Sequence, residues 1–85
     1  MGYQIKWKPS PFKYLNKLEK KDKERIFDKL DEVEKDPFRY LEHFEGDYYK
    51  LRIGDFRLLI DVIFEGGILM IEVLDKRGRI YFFLA

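Results

Sequence analysis

Apolar and polar residues alternate along Tyr3-Gln4-Ile5-Lys6-Trp7-Lys8, a period-two pattern that predicts a first strand. Pro9-Ser10-Pro11 stops it and opens a helix. Ser10 is the expected N-cap, and Pro11 takes the first helical position, where its missing N–H costs nothing. Phe12, Leu15 and Leu18 mark one face of this short helix. Asp22 is the expected cap of a second helix whose apolar stripe is Ile26, Phe27, Leu30 and Val33. Asp36-Pro37 ends it, because the residue before a proline is pushed out of the helical region. Residues 37–47 carry Phe38, Tyr40, Leu41 and Phe44 without a clean period, and read as an aromatic-rich connection packed onto the core.

The pattern then returns to period two. Residues 48–53 alternate, Gly54-Asp55 offers a two-residue turn with Gly first, and 56–64 is rich in β-formers. Such a loop sets Ile53 opposite Phe56, and therefore Arg52 opposite Arg57. Like charges directly opposed across strands are destabilising by a few tenths to ~1 kcal/mol. Lys50 lies two residues along the same face, so three cations gather there, as a site for an anion would require. Glu65-Gly66-Gly67 predicts a second turn and 68–74 a third strand. Residues 75–78 interrupt it, and 79–83 are expected to form a short last strand.

The two faces of this meander differ. One carries Tyr49, Leu51, Ile53, Phe56, Leu58, Ile60, Val62 and Phe64, joined by Leu69, Ile71 and Val73 if the second turn also has two residues, and is wide enough to receive both helices. The other carries Tyr48, Lys50, Arg52, Arg57, Asp61 and Glu72 among Leu59, Ile63, Met70 and Leu74, and is where a site belongs. The expected class is α+β: an N-terminal strand, a two-helix hairpin, then an antiparallel meander. The helices pack on one face of a four- to five-stranded sheet, in a single domain over residues 1–85.

Composition changes this picture in three ways. The chain has no Cys, so neither disulfides nor thiolate metal sites can staple it, and eight Phe, six Tyr and one Trp must help build the core. No stretch reaches the ~18 apolar residues of a membrane span and the first residues lack a signal peptide's apolar run, so a cytoplasmic location is expected. The net charge is only +1, but nine of eleven Lys fall in residues 1–45 among acids, while four of six Arg follow residue 50. Lysines mixed with acids suit solvated helix faces. Arginines suit bidentate contacts with phosphate.

The stretch YKLRIGDFRLLIDVI and the ending LDKRGRIY resemble the RelE/ParE toxin superfamily. The hairpin is similar to that family's Tyr-Arg-x-Arg-x-Gly-Asp-Tyr-Arg pattern, with Phe56 in place of the last Tyr. The ending is similar to its His-Arg-Lys-x-x-Tyr type, with an Arg four residues before a Tyr. The resemblance implies a type II toxin held silent by a cognate antitoxin, and a ribosome-dependent mRNA endoribonuclease. Its chemistry is metal-free attack of a ribose 2′-OH on the adjacent phosphodiester, with no cofactor.

Carried over residue by residue, the resemblance makes Lys50 the general base and Arg57 the phosphate clamp. Arg77 becomes the group at the leaving oxygen and Tyr81 the ring that stacks on an mRNA base. Arg52, Lys76 and Arg79 become further RNA contacts. A Lys acts as a base only when neutral, and the flanking Arg52 and Arg57 favour that form. Arg77 is a poor proton donor, so electrostatic stabilisation fits it better. Lys50, Arg52, Arg57, Arg77 and Arg79 are expected to form one patch. Tyr48 stands where some relatives have a second Lys, and Asp75-Lys76 replaces small or His residues, bringing a carboxylate near the site.

Plainer readings compete with each assignment. Lys and Arg commonly guard exposed strands, so the three hairpin cations also fit a solvated sheet face. Tyr81 fits strand-edge packing. His43 reads as a surface or packing residue. Glu24, Asp28, Asp31, Glu32 and Glu34 read as a solvated helix face that could also meet an antitoxin's cations. No His/Asp/Glu spacing resembles a metal site, and no glycine motif resembles a nucleotide loop. The resemblance leaves two other functions open: a ParE-like protein that binds DNA gyrase without being a nuclease, and an inactive antitoxin-binding relative.

Overall fold

The computed structural model describes residues 2–76. Its elements are β1 (Gln4–Trp7), α1 (Pro9–Asn16), α2 (Lys20–Lys35), the single turn α3 (Pro37–Tyr40), β2 (Glu42–Glu45), β3 (Tyr48–Ile53), β4 (Phe56–Ile63) and β5 (Ile68–Lys76). The strands form one sheet in the order β1-β5-β4-β3-β2. All neighbours are antiparallel except β1, which lies parallel to β5. The α+β class and the helices on one sheet face are as the sequence pattern predicts. The expected last strand at 79–83 lies outside the described residues.

Both helices start earlier than their expected caps. Lys8, not Ser10, holds the N-cap position of α1, with extended backbone and no side-chain cap bond. Pro9 explains the shift, since its fixed φ and absent N–H suit the first helical position. Lys8 is itself tied to the sheet, its N–H donating to the Ile71 carbonyl at 3.1 Å. Glu19, not Asp22, precedes α2, and its carbonyl accepts the amides of Asp22 and Lys23 at 3.0 Å. Asp22 sits instead in the first turn, where a carboxylate faces the positive end of the helix dipole. Leu18 lies in the turn between the helices and still packs against the core.

The core joins Leu15 of α1 and Ile26, Leu30 and Val33 of α2 to the inner face of the sheet. Leu58, Ile60, Val62, Leu69 and Ile71 are each 0% exposed. Every such side chain contributes about 1.5–3 kcal/mol relative to remaining in water. Phe27 departs from the expected stripe. It stands one position round from Ile26, is 43% exposed, and meets Trp7 edge-on at 6.4 Å. Phe64 also departs, lying past the end of β4 and 53% exposed, stacked on Phe38 at 5.8 Å.

Two corrections in the sheet matter for the site. Residues 37–47 are not an irregular connection: they contain α3 and the edge strand β2, which pairs with β3 through Glu42↔Lys50, His43↔Tyr49 and Glu45↔Tyr48. β5 is not interrupted at Asp75 but continues through Lys76. Its register slips opposite Leu59 and Ile60, whose partners are Val73 and Ile71, so Glu72 is the extra residue of a bulge. The extra residue shifts the alternation. Leu74 therefore turns to the core at 4% exposure and Val73 to the open face, the reverse of the expected placement.

Both edges of the sheet are guarded. The Glu34 carboxylate accepts the Ile5 N–H at 2.9 Å on β1, and its carbonyl accepts the Tyr3 N–H at 3.3 Å. Glu34 is thus part of the frame and not simply a solvated charge. Glu32 likewise accepts the Tyr40 hydroxyl at 3.4 Å. At the other edge, the short, charged β2 covers β3 only from Tyr48 to Lys50.

Candidate functional site: cations on the open face of the sheet

The face of the sheet away from the helices holds the hairpin cations. Gly54 opens the β3–β4 turn at φ +57°, while Asp55 keeps a negative φ, the signature of a two-residue turn with Gly first. That turn produces the register read from the sequence, Ile53↔Phe56 and Arg52↔Arg57. Lys50 follows two residues along β3, opposite Leu59. Three of the expected patch residues thereby share a face. Leu59, Ile63, Met70 and Val73 lie half-buried between the charges.

Carboxylates stand in register with this group. Glu42, across from Lys50 on β2, places Oε1 3.3 Å from the Lys50 Nζ. The same ammonium lies 5.8 Å from the centre of the Phe44 ring. Asp75 is the cross-strand partner of Arg57, and Asp61 sits between Tyr48 and Met70. Glu72, in the bulge, is 4.0 Å from Lys8. The face is therefore a mixed field and not a continuous cationic sheet.

Arg57 has structural work as well. Its Nη1 donates to the carbonyls of Gly54 and Phe56, both at 3.1 Å, and so braces the turn. Arg52 is exposed and borders an open groove of about 590 Å³ between α2 and the turn, together with Arg25, Asp28 and Gly54. Lys76 is not brought to this group. Its register partner is the buried Phe56, which puts Lys76 on the helix side of the sheet, exposed at the strand end. Arg77, Arg79 and Tyr81 lie outside the described residues.

Two residues of β2, Glu42 and His43, border the site. Glu42 carries no signal in the sequence, because the charged Glu-His-Phe-Glu strand that aligns it with Lys50 lacks an apolar alternation. His43 fits its packing role: Nε2 donates to the Gly46 carbonyl at 2.8 Å and the ring meets Tyr49 edge-on at 5.1 Å. Among the described residues no three His, Cys, Asp or Glu side chains cluster as metal ligands would. No helix among them is long and apolar enough to cross a membrane.

No family model and no curated protein matches the sequence. Solved structures do. A chain of the archaeal RelE–RelB complex from Pyrococcus horikoshii OT3 is 28% identical, with a TM-score of 0.77 over 93% of this chain and 99% of that one. The toxin–antitoxin complex RelBE2 from Mycobacterium tuberculosis matches with a TM-score of 0.81 at 18% identity, over 91% and 100% of the two chains. The intact E. coli RelBE toxin–antitoxin complex matches with a TM-score of 0.76 at 25% identity, over 91% and 99%. The fold is thus one these proteins share.

Proposed function

We propose that this chain, a RelE/ParE superfamily member by its sequence pattern and its fold, is the toxin of a type II toxin–antitoxin pair. In this reading it is a ribosome-dependent mRNA endoribonuclease of the cytoplasm, held silent by a cognate antitoxin. The observation that carries the reading is the set Lys50, Arg52 and Arg57 on the open sheet face, with Arg52 and Arg57 directly opposed. Opposed arginines are unfavourable in the free protein, and an RNA phosphate between them removes the repulsion. The RelE chains it resembles occur in RelBE toxin–antitoxin complexes, which supports an antitoxin partner here.

Strand cleavage by a 2′-OH needs a proton acceptor, a cation on the phosphate and stabilisation of the leaving 5′-oxygen. Arg57 and Lys50 supply the charge on the phosphate. In this proposal Lys50 acts on the phosphate as a cation, in place of the general base that the resemblance implies, and water or another basic group takes the 2′-OH proton. Arg77 stabilises the leaving oxygen, Tyr81 stacks on a base, and Arg52 and Arg79 contact the backbone. Lys76 contributes only to the surrounding potential.

Primer extension on translated mRNA with ribosomes present tests this. Wild type should cleave. Arg77→Ala should lose most activity, one stabilising donor being worth ~3–4 kcal/mol. Tyr81→Phe should be mild and Tyr81→Ala severe, since stacking on a base is worth ~1–3 kcal/mol. Equal cleavage by wild type and Arg77→Ala would overturn the assignment of Arg77. No cleavage by wild type, alongside gyrase-dependent DNA breaks, would favour the non-nuclease reading.

A further inference from the structure

We infer that Glu42 is a specificity-determining residue: it competes, within the chain, with a substrate phosphate for Lys50. The inference rests on the proposal that this face binds RNA. Glu42 lies on the edge strand directly across from Lys50, its Oε1 3.3 Å from the ammonium. The two side chains are 77% and 36% exposed, so the pair is wet and opens easily. A phosphate arriving at Lys50 must displace this carboxylate and then sit beside it.

The surroundings decide the sign. From β3, Arg52 and Tyr48 flank Lys50, and from β4, Leu59 faces it with Arg57 and Asp61 on either side. From β2, Phe44 lies against the ammonium, so Lys50 keeps a contact when Glu42 is neutralised. Losing the carboxylate therefore frees a cation and removes a repelling charge, with little loss of positioning. Isolated single-stranded RNA is held weakly by such a face. A substrate presented with additional phosphates, as on a larger ribonucleoprotein surface, overcomes the internal competitor. Glu42 thus weakens engagement of an isolated strand more than engagement of a dense phosphate array.

The test measures binding of a 2′-O-methylated single-stranded RNA, which the 2′-OH mechanism cannot cleave, at several salt concentrations. Glu42→Gln should tighten binding about two- to fivefold. It should also steepen the slope of log affinity against log salt by about 0.7, the increment of one added contact to a single strand. Glu45→Gln removes the same charge from the same strand, opposite Tyr48, and should give a smaller gain. In a Lys50→Met background the effect of Glu42→Gln should fall to that of Glu45→Gln. Unchanged or weaker binding by Glu42→Gln would overturn the inference, as would an equal gain from Glu45→Gln, or a gain from Glu42→Gln that still exceeds that of Glu45→Gln once Lys50 is lost. If binding follows expectation while no variant cleaves mRNA on ribosomes, the nuclease reading falls and the competition at Lys50 stands.

Discussion

Replacing Arg52 with Gln should make the protein more stable and a poorer binder of RNA. Arg52 and Arg57 are direct cross-strand partners. Opposed like charges destabilise by about 0.2–1 kcal/mol, and Arg52 is exposed, which argues for the lower part of that range. Gln keeps the length of the side chain and removes the charge. For a domain of this size, 1 kcal/mol corresponds to about 4–8 °C, so Tm should rise by about 1–8 °C at low salt. The gain should shrink in 1 M salt, where the Debye length is only about 3 Å. Thermal unfolding at both salt concentrations, paired with RNA binding on the same preparations, reads both sides. Lys20→Gln, which removes half of an exposed helix pair with Glu24, is the control and should leave Tm nearly unchanged. An Arg52→Gln protein no more stable than wild type at low salt, or a gain unchanged in 1 M salt, would refute the repulsion argument.

Three further outcomes follow from the frame. Gly54→Ala should destabilise by about 1–2 kcal/mol in denaturant unfolding, because its φ of +57° disfavours a Cβ that would also press on the Arg25 guanidinium. Ile60→Ala, in the middle of the core at 0% exposure, should cost about 2–5 kcal/mol. Glu34→Gln should cost up to about 1.5–3 kcal/mol, the range for bonds to charged groups, and amide exchange at Ile5 should quicken while that of Leu58 follows only global stability.

How much of this fold was legible follows from which rules act locally. The pairing of the β3–β4 hairpin was readable because two residues, Gly54 and Asp55, dictate the turn, and the turn dictates every pair beyond it. The stripe Ile26, Leu30 and Val33 was readable because burial repeats with the helix period. β2 was not. Its four residues, Glu-His-Phe-Glu, form an edge strand, where charge protects against pairing with other chains and erases the apolar alternation. The bulge at Glu72 was also hidden, since an extra residue in one strand is visible only against its partner. It reversed Val73 and Leu74 while leaving Leu69 and Ile71 where the alternation predicted them.

The same distinction applies to the candidate site. Arg52 and Arg57 lie five residues apart across the turn, and local geometry suffices to oppose them. Lys50 and Glu42 are brought together by β2, and Arg57 and Asp75 by the continuation of β5, so these pairs depend on the two elements the pattern concealed. The cations were therefore legible and their counter-charges were not. That asymmetry alters the chemistry expected of the face. Three cations alone describe a strong phosphate site. With Glu42 at Lys50 and Asp75 in register with Arg57, the local charge nearly balances, in keeping with a net charge of +1 for the chain. Binding then depends on many weak phosphate contacts made together, whose strength falls steeply with salt. A face built this way discriminates by the arrangement of phosphates offered to it and not by the presence of one.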